Sequence, residues 1–266
     1  ITTDVERHIQ PASVDPPLSS EAYIIPSGWK PDPEKTIIES LKSLPRKECQ
    51  PLDLTADVVI VPNCDSAWLV FLEGTYRLPT GFWLRSSPKS TEGRLGNLVQ
   101  LVADRQTNYD EVHGPYDGRL AVLVTPRVFL NTLYKGLTLN QLRLFCGAYF
   151  TLGDDELRRE IAHHELVYDN GKPVPTERVR IHGGLELHVD LEGKKSQGII
   201  GFRAIRNPVP IDRRKKTPYE NYFEPILAPT NGRLIILPDD KLLILNSIEC
   251  VRIPPHLGAE MDAVVQ

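Results

Sequence analysis

Methionine is almost absent: Met261 is the only one in 266 residues, and the chain opens on Ile1, so a trimmed or incomplete start is expected. No apolar run approaches the roughly 18 residues that a membrane-crossing helix needs, and no stretch with a basic start and an apolar middle reads as a secretory leader. Cysteine is sparse. Cys49, Cys64, Cys146 and Cys250 are far apart and form no CxxC pair, which excludes a zinc knuckle of ordinary spacing and a disulfide scaffold. Reduced thiols and a cytoplasmic location are the expectation. Excess positive charge is missing as well. Lys and Arg number 31 against 35 Asp and Glu, a net −4, so neither nucleic acid nor membrane is expected as a partner.

What remains is the make-up of a globular protein, 41% hydrophobic and 25% charged. The length suits one large domain or two of ordinary size. The 23 prolines disfavour long helices and fit strands joined by stiff turns. Short apolar runs lie between Pro, Gly, Asn and Asp: Asp57–Pro62, Ala67–Phe71, Leu120–Val124, Leu234–Leu237 and Lys241–Leu245. Such runs, several rich in Val and Ile, predict strands, and Asn231-Gly232 predicts a tight turn. Two segments have helical spacing. Pro33–Leu44 places Ile37, Ile38 and Leu41 on one face; Asp154–Leu166 places Leu157 and Ile161 together, with Asp154 as the expected cap and Gly171 and Pro173 as terminators.

The chain also resembles itself at a constant offset. Val14-Asp15 recurs as Val189-Asp190, and Leu78-Pro79 as Ile253-Pro254; between them Trp68–Phe71 faces Leu243–Asn246, and Ile60 faces Ile235. A shared offset without a gap suggests a duplicated β module. The expected division is a first copy over 1–150, a helical linker over 151–180 and a partial second copy over 181–266, which breaks off before it is complete.

The segment Arg85-Ser86-Ser87-Pro88-Lys89-Ser90-Thr91-Glu92-Gly93-Arg94-Leu95-Gly96 resembles the phosphate-binding loop of dCTP deaminases. Ile9–Asp15 is similar to that family's opening strand, Gly136–Phe145 to its closing strand, and Val251–Met261 to the second copy in its tandem-repeat branch. The resemblance implies a mainly β chain: a duplicated dUTPase-like β-clip with short helices, its second copy truncated. It implies a homo-oligomer, and hydrolysis of dCTP to dUTP and ammonia with Mg²⁺ carried on the triphosphate. It also implies chemistry without zinc, and the HxE…PCxxC pattern of zinc deaminases is absent from the sequence.

A triphosphate needs fixed positive charge and hydrogen-bond donors. Lys89 and Arg94 supply charge, Ser90 and Thr91 supply hydroxyls, and Gly93 allows close backbone approach. By position these four side chains match the family's phosphate contacts. Deamination at cytosine C4 further needs a group that takes a proton from water and passes one to the departing ammonia, a task one tuned carboxylate can perform. The family's glutamate for this falls at Leu123, which cannot transfer a proton. No catalytic residue is therefore assigned. Asp104, Asp110, Glu111 and Asp117 read as solvated loop carboxylates. Two alternatives stay open: a catalytically inactive nucleotide-binding or assembly subunit, and a dUTP pyrophosphatase of the same fold.

Other features read as structural. His163-His164-Glu165 lacks HExxH spacing, and neighbouring helical residues diverge by about 100°, so a surface pair is expected. Arg213-Arg214-Lys215-Lys216 reads as a solvated basic loop, and His182-Gly183-Gly184 as a turn. Trp68, Tyr76, Phe82 and Trp83 read as core or subunit-interface aromatics.

Overall fold

The computed structural model describes residues 8–63, 65–237 and 241–261. The chain is mainly β with three short helices among the described residues. It divides into two compact units, Ile1–Ala148 with Ile205–Tyr222, and Tyr149–Ala204 with Phe223–Gln266. Among the described residues no helix is long and apolar enough to cross a membrane.

The first unit holds β1 (Leu18–Pro26), α1 (Ile37–Lys42), β2 (Gln50–Asp53), β3 (Val58–Ile60), β4 (Ser66–Leu72), β5 (Tyr76–Leu78) and β6 (Phe82–Pro88). After α2 (Ser90–Arg94) come β7 (Asn97–Ala103), β8 (Glu111–His113), β9 (Tyr116–Gly118), β10 (Leu120–Pro126), β11 (Asn131–Leu133) and β12 (Asn140–Cys146). Its main sheet runs β2-β1-β4-β10-β7, antiparallel throughout. A second sheet runs β12-β6-β8.

The unbroken apolar runs of β4 and β10 follow from burial on both faces of the main sheet. Val70, Leu72, Val122 and Val124 join a large core with Leu18, Leu101 and Leu142. Ala67, Leu69, Phe71, Ala121 and Leu123 point the other way, into a cluster with Ile37 and Leu41 of α1. That helix begins four residues later than its periodicity suggests. Thr36 caps it by accepting from the Glu39 N–H, Glu39 returns the bond to the Thr36 N–H, and this reciprocal box fixes the start.

The second unit holds α3 (Asp154–His164), β13 (Val167–Asp169), β14 (Lys172–Pro173), β15 (Ile199–Ala204), β16 (Phe223–Leu227), β17 (Leu243–Leu245) and β18 (Cys250–Val251). Its sheets are β14-β13-β18 and β16-β15-β17. Ile161 of α3 packs on Leu166, Val167, Val179 and Ile181. Three expectations change here. Gly153, not Asp154, is the N-cap, leaving Asp154, Asp155 and Glu156 in the first turn, where acids favour the positive helix end. The helix stops at Glu165 in the left-handed region (φ 49°), before Gly171 is reached. Leu234–Leu237 forms no strand, and Ile235, Ile236 and Leu237 are exposed. The turn at Asn231-Gly232 is present, with the Gly232 N–H donating to the Pro229 carbonyl.

Residues 205–222 follow β15 in sequence yet belong to the first unit. Ala204 and Phe223 pair across β15 and β16, so the ends of this excursion lie side by side. Inside the first unit Ile211 bridges Asn131 in parallel, and the Tyr222 ring meets Phe129 edge-on at 5.5 Å.

Candidate functional site

The turn singled out from the sequence joins β6 to β7. Lys89 is extended (φ −62°, ψ 145°) and precedes the single helical turn of α2. Gly96, at φ 66°, reverses the chain into β7, a conformation that glycine adopts without strain. Ser90, Thr91, Gly93 and Arg94 are exposed on this turn.

Lys89 behaves differently. Its ammonium donates to Asp15 Oδ2 at 2.6 Å and to Thr138 Oγ1 at 3.1 Å, and its backbone N–H donates to the Leu139 carbonyl at 2.8 Å. Asp15 is buried, so the pair is shielded from water on the carboxylate side. Three separate stretches therefore meet at one residue: the opening segment through Asp15, the turn through Lys89, and the approach to β12 through Thr138 and Leu139. Val14 and Leu142 exchange backbone hydrogen bonds beside them. Two buried acceptors nearby in the chain, Asp15 Oδ1 and Asn140 Oδ1, have no protein partner; the Asn140 amide donates to Ser86 Oγ at 2.7 Å. Buried acceptors without donors are uncommon, and they mark this region as polar inside.

Beneath the turn sits a second ion pair that the sequence did not reveal. Glu92 is only 1% exposed. Arg213 grips it with two prongs, Nε to Oε1 at 3.0 Å and Nη2 to Oε2 at 2.6 Å, while the Asn97 amide donates to Oε2 at 2.8 Å. Asn131 extends the network to Asn97. Arg214 is exposed yet also paired: it reaches Asp212 and Asp57 and lies 4.1 Å over the Tyr134 ring. Hydrogen bonds from Arg214 hold the Asp212 carboxyl well below the usual carboxylate range. The basic run expected to be a solvated loop is exposed from Arg214 to Lys216, but Arg213 is turned inward and Arg214 is paired. The 121 residues separating Arg213 from Glu92 explain why no local pattern announces them.

The acids near Leu123 divide by environment. Asp104 is buried and fully used: its oxygens accept from the Ile37 and Arg119 N–H groups at 2.7 Å each. Asp117 pairs with Arg77, and Glu111 meets His113, both on the surface. Asp110 is partly buried in a left-handed backbone (φ 63°), with Oδ1 accepting from the Leu101 N–H at 2.8 Å. Burial pushes its carboxyl up to about 6 from 3.8, with Glu111 adding to the rise and Leu101 and Arg85 opposing it. The raised value means the folded state holds a proton the unfolded chain has released. Stability from this group is present below about pH 4 and lost as pH rises through about 6. Leu123 itself is 3% exposed and packs among Ile25, Leu69, Phe71 and Val102.

The aromatics also divide. Trp68 is in the core, whereas Trp83 stacks on Phe145 at 4.4 Å and on His113 at 5.7 Å, with its indole N–H bonded to the Gly147 carbonyl. His182–Gly184 is a turn closed by an N–H to carbonyl bond of 2.9 Å. In the second unit, Asp190 is buried like Asp15, but its Oδ1 accepts from the Glu192 and Gly193 N–H groups instead of meeting a lysine.

Comparison with known proteins gives these features a context. Residues 2–148 match the family model of the 2'-deoxycytidine 5'-triphosphate deaminase N-terminal domain, and residues 153–266 match that of its C-terminal domain. The crystal structure of 2'-deoxycytidine 5'-triphosphate deaminase from Agrobacterium tumefaciens is similar, with a TM-score of 0.83 at 28% identity, over 96% of this chain and 70% of that one. No curated protein matches the chain. With its two halves matching the two domains of one family in order, the chain belongs to the 2'-deoxycytidine 5'-triphosphate deaminases.

Proposed function

We propose that the first unit binds the triphosphate of dCTP along Lys89–Arg94 and that the protein hydrolyses dCTP to dUTP and ammonia. The observation that carries this reading is the convergence on Lys89. A solvated turn has no need to be tied to a buried carboxylate and to two distant stretches of chain. In this reading Lys89 fixes the turn, while Arg94, Ser90 and Thr91 face outward with one guanidinium and two hydroxyls for phosphate oxygens. The donor set suits an anion. The turn's one carboxylate, Glu92, is consumed by Arg213 and Asn97, so Mg²⁺ would arrive as part of the nucleotide and not be held by the turn.

Water adds to C4 of cytosine, the C4–N bond breaks, and ammonia leaves with a proton taken from that water. Leu123 cannot carry that proton, and its apolar surroundings do not favour an ionised replacement. The shuttle is therefore proposed to be a carboxylate at a position other than 123, and assembly of copies into a homo-oligomer is part of the same proposal. Leu123 also favours a second reading, a subunit that binds the nucleotide without turning it over. The protein, given dCTP and Mg²⁺ with an active family member alongside, is expected to release ammonia and dUTP in equal amounts. Tight binding of dCTP with no product would sink the deaminase reading in favour of the binding subunit. Pyrophosphate and dUMP from dUTP would replace it with a pyrophosphatase.

A further inference from the structure

The histidine pair noted in the sequence is not a bare surface pair. His164 is in the last turn of α3, one turn beyond Glu160 on the same face, as i and i+4 residues are. His256, from the stretch after β18, comes onto that face although it lies 96 residues from Glu160. Glu160 Oε2 is 3.0 Å from His256 Nε2 and 3.6 Å from His164 Nε2, and the two imidazole centroids are 4.9 Å apart. The ligand atoms of all three residues fall within 4.8 Å of one another.

We infer that Glu160, His164 and His256 form a binding site for a divalent transition metal of the zinc class, clipping the stretch after β18 to α3. Zinc takes imidazole nitrogen and carboxylate oxygen at about 2.0–2.2 Å, so neighbouring ligand atoms of a tetrahedral site stand about 3.3–3.5 Å apart. The two measured Glu–His separations bracket that edge, and the histidine nitrogens need only a modest side-chain rotation to match it. All three side chains retain solvent access, which provides an entry path and leaves a fourth position for water. The end of α3 carries the helix's negative pole, which favours a cation there. Charge balance points the same way: one carboxylate and two neutral imidazoles leave a dication with one net positive charge. His163 is the natural comparison, since its Nδ1 is engaged with the Arg159 carbonyl at 2.7 Å. The site lies within the second unit and is independent of the deamination proposed above.

The test is a titration of the chelator-stripped full chain with Zn²⁺, in competition with a chromogenic chelator, followed by substitution with Co²⁺. Cys146 and Cys250 are exposed free thiols, so the work is done in a Cys146→Ser/Cys250→Ser background. One equivalent should bind, and the Co²⁺ form should show the strong visible absorption of a four- or five-coordinate site. His164→Ala and His256→Ala should each weaken binding at least tenfold, while His163→Ala stays within about threefold. All positions are exposed, and circular dichroism confirms that each variant is folded. Failure to bind one equivalent, or equal affinity in His256→Ala and the parent, would overturn the site; so would a loss in His163→Ala as large as in His164→Ala.

Discussion

Replacing Arg213 with alanine is expected to destabilise the first unit by about 3–5 kcal/mol, the usual cost of stranding one partner of a buried ion pair. Glu92 is 1% exposed and the Arg213 side chain 12%, so water cannot take over the lost hydrogen bonds. That loss is a large part of a domain's typical stability of about 5–15 kcal/mol. Trp29, Trp68 and Trp83 all belong to the first unit, so tryptophan fluorescence during urea unfolding reports on this unit alone. Adding Glu92→Gln to Arg213→Ala removes the stranded charge and should recover part of the loss, a coupling that two unrelated sites would not show. An unchanged midpoint in Arg213→Ala would mean that the network under α2 does not bear on stability.

The second large effect concerns Leu123. Leu123→Glu places the carboxylate where the family resemblance expects one, yet the side chain would enter the layer formed by Ile25, Ile37, Leu69, Phe71 and Val102. Burying an uncompensated carboxylate costs several kcal/mol, or forces it to stay protonated. We expect a loss of at least about 3 kcal/mol in the fluorescence-monitored midpoint, and no gain in ammonia release from dCTP. A stable Leu123→Glu protein with new deaminase activity would show that this strand faces the reacting base, and would remove the reason for seeking the proton shuttle elsewhere.

Much of the fold could be read from the chain because its signals are local. The runs at 67–71 and 120–124 lie within β4 and β10 because unbroken Val, Leu and Phe can only be buried on both faces. The run at 234–237 looked alike but forms no strand, since a run of apolar residues does not by itself supply a partner edge. Around the turn, Ser90, Thr91 and Arg94 stand outward in the way their chemistry suggests. Lys89 was legible as a cation but not as an anchor, because Asp15 and Thr138 are 74 and 49 residues away. The Glu92–Arg213 pair and the Glu160–His164–His256 triad were hidden for the same reason. In each, one member arrives from a distant loop, and periodicity carries no information on such contacts.

The most direct measurement is calorimetric titration of the chain with Mg²⁺–dCTP and with deoxycytidine, in the parent and in Arg94→Ala. Arg94 is exposed, so its removal leaves the fold intact while withdrawing one of the proposed grips on phosphate. Affinity for dCTP should fall at least tenfold, about 1.4 kcal/mol, while the weak binding of deoxycytidine stays the same. Equal dCTP affinity in both proteins would contradict the placement of the nucleotide tail on Lys89–Arg94.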